Sequence, residues 1–204
     1  LTLQSKTGWL PWREMTVKAV IILLLSLLCG ELVYMNKKKQ DQIHRMAVTD
    51  ELTGTYNRRW LKQYLEKSCM KRTQPFMLLY MDLNGFKKIN DVLGHGYGDQ
   101  LLVEVARRLE EFLGPSDILS RIGGDEFVMI LKLDADNKAR QEVDKKIHKV
   151  ISEPYNLSGD ATEVSVGISV GIAFFPEDGT DHEHLMKIAD ERMYMDKQKS
   201  AVSN

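Results

Sequence analysis

The sequence predicts an α+β domain, a largely antiparallel sheet carrying helices on one or both faces, preceded by one transmembrane helix. Three observations point there. Residues Met15 to Met35 form one apolar run of membrane-spanning length. After Asp50, short continuous apolar runs alternate with apolar residues at helical spacing, in the order helix, strand, helix, helix, strand, strand, helix, strand, helix. Within that order, "SRIGGDEFVMI" joins two apolar segments through glycines, which supply the positive φ that tight hairpin turns demand. A hairpin accounts for the glycines but not for Asp125 and Glu126 beside them.

Taken in order, residues 1–14 read as the juxtamembrane end of a missing upstream region, an external sensor, because the chain begins with Leu1 rather than Met. Residues 15–35, "MTVKAVIILLLSLLCGELVYM", are long enough at about 1.5 Å per residue to cross a hydrocarbon core of about 30 Å. Trp9 and Trp12 lie where an interfacial belt would. Lys37, Lys38 and Lys39 follow directly, which puts the span in the inner membrane and everything after it in the cytoplasm. A cleaved signal is disfavoured, since Leu28 before Cys29 is too large and no small-x-small site is evident. Residues 36–49 are charged, with a thin apolar seam of Ile43, Met46 and Val48, and read as a signalling helix or a solvated linker.

The remaining domain, 50–204, opens with Trp60, Leu61, Tyr64 and Leu65 at helical spacing. "PFMLLYMDL", Pro75 to Leu83, is a continuous apolar run and hence a buried strand. Leu101, Leu102, Val105, Ala106, Leu109, Phe112 and Leu113 form an amphipathic helix after turn residues Gly94 to Gly98. The hairpin follows, then a charged helix over Lys138 to Ser152, a strand around Val164 to Phe174, and a last helix from His182 to Lys199.

Composition narrows the function. The 28 basic and 29 acidic residues give a formal charge of −1, which argues against a nucleic-acid binder driven by phosphate attraction; any anion site must be local. Cys29, in the apolar run, and Cys69, in a polar segment, suggest neither a disulfide framework nor a zinc site, and a reducing cytoplasm fits. Asp82 ends the first buried strand. If that strand neighbours the hairpin, Asp82, Asp125 and Glu126 converge at one sheet edge, where Mg²⁺ would find the one or two carboxylates it prefers beside phosphate oxygens. From the residues alone, a solvated acidic turn beside a strand-end Asp stays equally open.

Five stretches shift that balance: "DELTGTYNRR", "MDLNGFKKINDVLGHGYGD", "IGGDEF", "SVGIAFFPEDG" and "ADERMYMDK". Together, in family order and over nearly all of Asp50 to Lys199, they resemble the GGDEF family of diguanylate cyclases. The resemblance implies a fold similar to class III nucleotide cyclases and polymerase palms. It also implies condensation of two GTP into cyclic di-GMP with release of pyrophosphate, each protomer of a homodimer holding one GTP.

By resemblance, Asp82 and Asp125 ligate Mg²⁺ or Mn²⁺ through their carboxylates, the Leu83 backbone carbonyl adds a ligand, and Glu126 serves a second ion. Two cations suit attack of a 3′-hydroxyl on an α-phosphate, where negative charge builds on the attacking, bridging and non-bridging oxygens. Metal-bound hydroxide character, Asp125 or Glu126 takes the hydroxyl proton; the sequence does not choose. Gly123 and Gly124 stay bare where side chains would crowd the nucleotide. Where "NGFKK" turns into a helix, the amides near Gly85 and Phe86 meet phosphate oxygens with Lys87, and Lys197 reaches the terminal phosphates. There the chain departs from the family: "KQKSAVSN" leaves Ala201 where a second basic ligand is common, with Lys199 as a substitute.

Asn90 and Asp99 match the residues that read the base. Guanine offers two adjacent donors to one carboxylate, whereas adenine has an acceptor at N1, so Asp99 selects GTP over ATP. Many relatives carry an inhibitory product site, Arg-x-x-Asp; here Asp117 is present but Gly114 stands at the arginine position, with Arg58 as a secondary contributor. His95 fits a family turn, and His182 and His184 lack partners at ligand spacing. The reading is a membrane-anchored diguanylate cyclase, dimeric and controlled from upstream. Its rival is a non-catalytic module that binds GTP or cyclic di-GMP; the intact Asp82, Gly123, Gly124, Asp125 and Glu126 speak against that. A phosphodiesterase is not expected, since no hydrolase domain follows Lys199.

Overall fold

A computed structural model describes residues 10–71, 74–132, 138–157 and 163–202 in two units, one ending at Arg45 and one beginning at Met46. Helix α1 is assigned over Leu10–Val48. Its stretch Glu14–Gln40, 27 residues containing an 18-residue window with a mean hydropathy of 2.2 and none of that window buried, is the one described helix long and apolar enough to cross a membrane by length and composition. The segment 36–48 is therefore helical rather than irregular. Trp9 and the side chains of Ile43 and Met46 lie outside the described residues.

In the second unit a short strand, β1 (Tyr56–Asn57), leads into α2 (Arg58–Met70), whose first turn is capped by the Asn57 side chain accepting from the Trp60 amide at 2.9 Å. Strand β2 (Phe76–Asn84) follows, then α3 (Phe86–Leu93), α4 (His95–Glu110), the hairpin strands β3 (Ile118–Gly123) and β4 (Glu126–Lys132), and α5 (Lys138–Ser152). A two-residue ribbon, β5 (Tyr155–Asn156) with β6 (Glu163–Val164), precedes β7 (Gly167–Phe175) and α6 (His182–Val202). The main sheet runs β1-β3-β4-β2-β7, antiparallel except for the parallel β1–β3 edge.

Strand β2 lies between β4 and β7, which explains its unbroken apolar run: both of its faces are covered. Phe76 and Leu78 pack with Leu61 and Leu65 of α2 and Leu185 and Ala189 of α6. Met77, Leu79, Met81 and Leu83 face the opposite layer, with Leu101, Val105 and Leu109 of α4 and Ile147 and Ile151 of α5. By the two-residue period, Tyr80 and Asp82 belong to the α2/α6 face, at the end of β2 nearest the hairpin turn.

Two expectations need correction. Gly94 to Gly98 is not a turn segment: α4 begins at His95, and Gly94 alone, at φ 91°, makes the corner. Phe112 and Leu113 consequently fall beyond the last residue of α4. Cys69, in a polar stretch of sequence, is buried, because it lies on the α2 face that carries Leu61 and Leu65. The short strands β1, β5 and β6 were not expected; two residues are too few for any period to register.

Two arginines tie the layers. Arg108 of α4 donates to the carbonyls of Val150, Glu153 and Pro154 at 2.7–2.8 Å and lies over the Tyr155 ring, fastening the C-terminal end of α5. Arg192 of α6 forms a two-pronged pair with Asp178 at 2.8 Å and bonds the Ile172 carbonyl of β7. Between them Gly171, opposite Tyr80 in the sheet, lets α6 approach so closely that a Cβ there would run into the Ala189 carbonyl and the Met193 backbone. Backbone cannot swing aside as a side chain can. Gly171→Ala is therefore expected to destabilise this unit by about 1–3 kcal/mol in urea unfolding; an unchanged midpoint would contradict the contact.

Candidate active site

The β2–β4 register sets Asp82 directly opposite Glu126, and the hairpin turn adds Asp125 next to them. The Leu83 amide donates to the Asp125 carbonyl at 3.3 Å, so the turn is stitched to the strand that bears Asp82. Gly124 has φ 42°, the conformation a side chain would strain, whereas Gly123 is open: a Cβ there would meet only Glu126 Oε2, at 3.8 Å. Nothing in the protein's own packing requires a glycine at 123. Arg121 braces the turn from below, donating through Nε and Nη2 to the Gly124 carbonyl at 3.0 and 2.8 Å and through Nη1 to Asp50 Oδ1 at 3.0 Å. Asp50 also accepts from the Thr53 amide and hydroxyl; these hydrogen bonds and Arg121 outweigh its burial and hold its carboxyl below the ordinary range.

Two carboxylates of the group have side-chain partners. Lys197 of α6 donates to Asp82 Oδ1 at 2.6 Å, and the Tyr80 hydroxyl donates to Glu126 Oε1 at 3.1 Å. Burial, and then the ionised Glu126 beside it, push the Tyr80 phenol well above its usual range, so it is a permanent donor there. Asp125 is half-buried. Burial first, and the Asp82 charge second, raise its carboxyl above the ordinary value, against the pull of its own amide, Lys197 and Arg121. Among the described residues no three acidic, histidine or cysteine side chains are grouped so that they alone could hold a metal ion. The arrangement is an open one, two facing acids and a third on the turn.

The residues predicted to bind substrate lie on α3, at the α3–α4 junction and on α6. Gly85 caps α3 in the left-handed region at φ 81° without a side-chain hydrogen bond, Phe86 is buried, and Lys87 is exposed. Asn90 Oδ1 is buried without a hydrogen-bond partner and lies against Gly98, where a Cβ would collide with it. Asp99, the next residue, is exposed, so both base-reading candidates sit at the α3–α4 junction. A cavity of about 690 Å³ opens beside Lys197, bounded by Asn84, Gly85, Ser200 and, from α5, His148 and Lys149. Lys197 and Ser200, three residues apart, share this face of α6; Lys199, about 200° round the helix from Lys197, is not among its lining residues. The side chain of Ala201 lies outside the described residues.

Asp117 is committed locally, accepting from the Gly114 amide at 2.8 Å and the Lys132 amide at 2.9 Å. A Cβ at Gly114 would lie 3.1 Å from Asp117 Oδ2, tight but not blocked. Arg58 lines a separate cavity of about 290 Å³ with Lys62, Tyr80 and His182. The sequence reading missed Arg121, Tyr80, His148 and Lys149. Tyr80 was reachable, since residues two apart in a strand share a face and Asp82 was already singled out; Arg121 and His148 have near neighbours in Gly124 and Asp144, but their links to Asp50 and Asp196, like the place of Lys149 on the cavity rim, depend on contacts across the chain.

Comparison with known proteins finds relatives in sequence and in structure. A family model described as "Diguanylate cyclase, GGDEF domain" matches residues 47–202. The bifunctional diguanylate cyclase/cyclic di-GMP phosphodiesterase MucR of Pseudomonas aeruginosa is 38% identical over 161 residues, 75% of this chain and 22% of that protein. The response regulator PleD of Caulobacter vibrioides is 35% identical over 160 residues, 77% of this chain and 35% of that protein. The chain thus spans about a third or less of the length of these two relatives. The crystal structure of the coiled coil and GGDEF domain of DgcB from Caulobacter crescentus, in complex with c-di-GMP, superposes with a TM-score of 0.76 at 25% identity, covering 88% of this chain and 95% of that one.

The raised Asp125 carboxyl predicts a stability cost that can be read by pH. A carboxyl whose folded pKa lies above its ordinary 3.8 favours the fold only when protonated, so its contribution is lost as pH rises through the folded value. At neutral pH in chelator, Asp125→Asn is expected to stabilise the protein by on the order of 1 kcal/mol, with the gain vanishing at acidic pH. Equal or lower stability at neutral pH would contradict the charge crowding.

Proposed function

The chain belongs to the GGDEF family over residues 47–202, and from that premise we propose that it is a diguanylate cyclase, condensing two GTP into cyclic di-GMP and pyrophosphate across a homodimer. The observation that carries this reading is the pairing of Asp82 with Glu126 in register, with Asp125 on the adjoining turn and Lys197 reaching in from α6. The donor set fits Mg²⁺ or Mn²⁺. A crowded pair of carboxylates with one member's pKa raised is the environment a divalent cation relieves, and Mg²⁺ takes a few protein oxygens and completes its shell with phosphate and water. Held by Asp82, the Leu83 carbonyl, Asp125 and Glu126, two such ions would supply neutralisation of charge on the reacting phosphate.

The chain's own groups do the rest. The uncapped first turn of α3 and Lys87 meet phosphate oxygens, and Lys197 exchanges Asp82 for the terminal phosphates. Tyr80 holds Glu126 from the core side, leaving its second oxygen toward Gly123. The buried, unpartnered Asn90 Oδ1 is an acceptor awaiting a donor, which a guanine edge provides, and Asp99 beside it takes the paired donors that adenine lacks. Each domain brings one nucleotide, so the two reacting groups meet only when two copies face each other. Helix α1 anchors the domain in the inner membrane and relays an upstream signal. With Gly114 in place of arginine and Asp117 spent on two backbone amides, the product-binding site is degenerate.

The test is incubation of the purified chain with GTP and Mg²⁺. Cyclic di-GMP and pyrophosphate are expected to form at a rate per protomer that rises with protein concentration. Asp82→Asn and Gly124→Val are expected to reduce it by at least about 100-fold, and low micromolar cyclic di-GMP should not slow it. GTP binding without turnover would replace this reading with the non-catalytic module.

A further inference from the structure

The large cavity beside the carboxylates has a wall that the family reading leaves without a role. Its α6 side presents Lys197 and Ser200, and its α5 side presents Lys149, His148 and Ser152. Lys149 has no ion-pair partner among the described residues, although the other cation on this rim, Lys197, is bonded to Asp82. His148 approaches Asp144 Oδ1 at 3.4 Å and Asp196 Oδ2 at 3.6 Å. Those two carboxylates, Asp144 foremost, outweigh burial and raise the imidazole above its ordinary value, so it carries charge further into the neutral range. The remaining boundary, Asn84, Gly85, Gly167 and Ile168, holds no titratable group. Arg108 fixes this wall by gripping the carbonyls of Val150, Glu153 and Pro154 at the end of α5.

We propose that Lys149, with His148 beside it, is the second cationic ligand for the β- and γ-phosphates of the bound nucleotide, acting from α5 across the cavity from Lys197. This rests on the reading of the site as a GTP site. An ammonium without an ion-pair partner among the described residues, with an imidazole beside it, lines the same open cavity of about 690 Å³ as the Lys197 ammonium, an arrangement that favours a polyanion between them. Lys149 thereby supplies from another helix the charge that α6 lacks at Ala201, and Lys199, off the lining face, does not. The discrimination falls on the polyphosphate tail and not on the base, because Asn90 and Asp99 lie at the α3–α4 junction.

Calorimetric titration of the full chain in detergent and Mg²⁺ buffer, with the non-reactive α,β-methylene analogue of GTP and separately with GMP, tests this. Lys149→Gln is expected to weaken the triphosphate by roughly tenfold and His148→Gln by about threefold, while GMP changes by less than about twofold; Lys149→Arg restores the triphosphate. If the wild-type chain binds the analogue and Lys149→Gln binds it equally well, the role of Lys149 is overturned and the GTP site stands. Equal weakening of GMP and triphosphate also overturns it, as a structural effect. If the wild-type chain binds neither, the GTP site itself falls, and this inference with it.

Discussion

Everything functional in this domain depends on one pairing, the antiparallel register that puts Asp82 of β2 opposite Glu126 of β4. A slip of one residue would turn Asp82 to the other face of the sheet, into the layer of Met81 and Leu83, and would part it from Lys197. The register is held by burial on both faces, since every β2 side chain from Phe76 to Leu79 is almost completely excluded from solvent. It is held again at the turn by the Leu83 amide and by Arg121 on the Gly124 carbonyl. Gly171 lets α6 lie close enough to β7 for Lys197 to reach across to Asp82. Core packing and site geometry are thus the same constraint seen from two ends of one strand.

That constraint has an electrostatic cost. Bringing three carboxylates to one sheet edge opposes their mutual repulsion, and Asp125 shows it in a carboxyl raised by burial and by Asp82. The fold answers with local donors: Lys197 to Asp82, Tyr80 to Glu126, Arg121 close enough to Asp125 to lower its carboxyl. None of these closes the site, and each leaves oxygens that a divalent cation and a phosphate can share. A cluster built for stability alone would have replaced one acid with an amide.

The architecture was legible where periodicity is strong. The β2 run and the hairpin strands stand where expected; the α4 stripe does so from Leu101 to Leu109, while the helix itself starts earlier, at His95, and ends before Phe112 and Leu113. The acids stood out because a hairpin turn requires neither, although from the residues alone a solvated acidic turn explained them equally well. Gly94 to Gly98 misled, because glycine in a helix interior is disfavoured; here Gly98 is small so that Asn90 can lie against it. Arg121, Arg108, His148 and Lys149 were invisible for a different reason. Beyond the local bonds of Arg121 to Gly124 and His148 to Asp144, their partners, Asp50, Val150, Asp196 and the cavity rim, are brought in by tertiary packing, and no local pattern announces a cation that faces a distant helix.

The account stands on the acid group being a cation site that a nucleotide completes. Mn²⁺ uptake, followed by loss of the free-ion electron paramagnetic resonance signal, measures that directly when the chain is titrated together with the α,β-methylene analogue of GTP. Chain and nucleotide together are expected to bind more Mn²⁺ than the sum of the two measured separately, with the excess disappearing in Asp82→Asn. Uptake equal to that of the nucleotide alone, or an excess that survives Asp82→Asn, would contradict it.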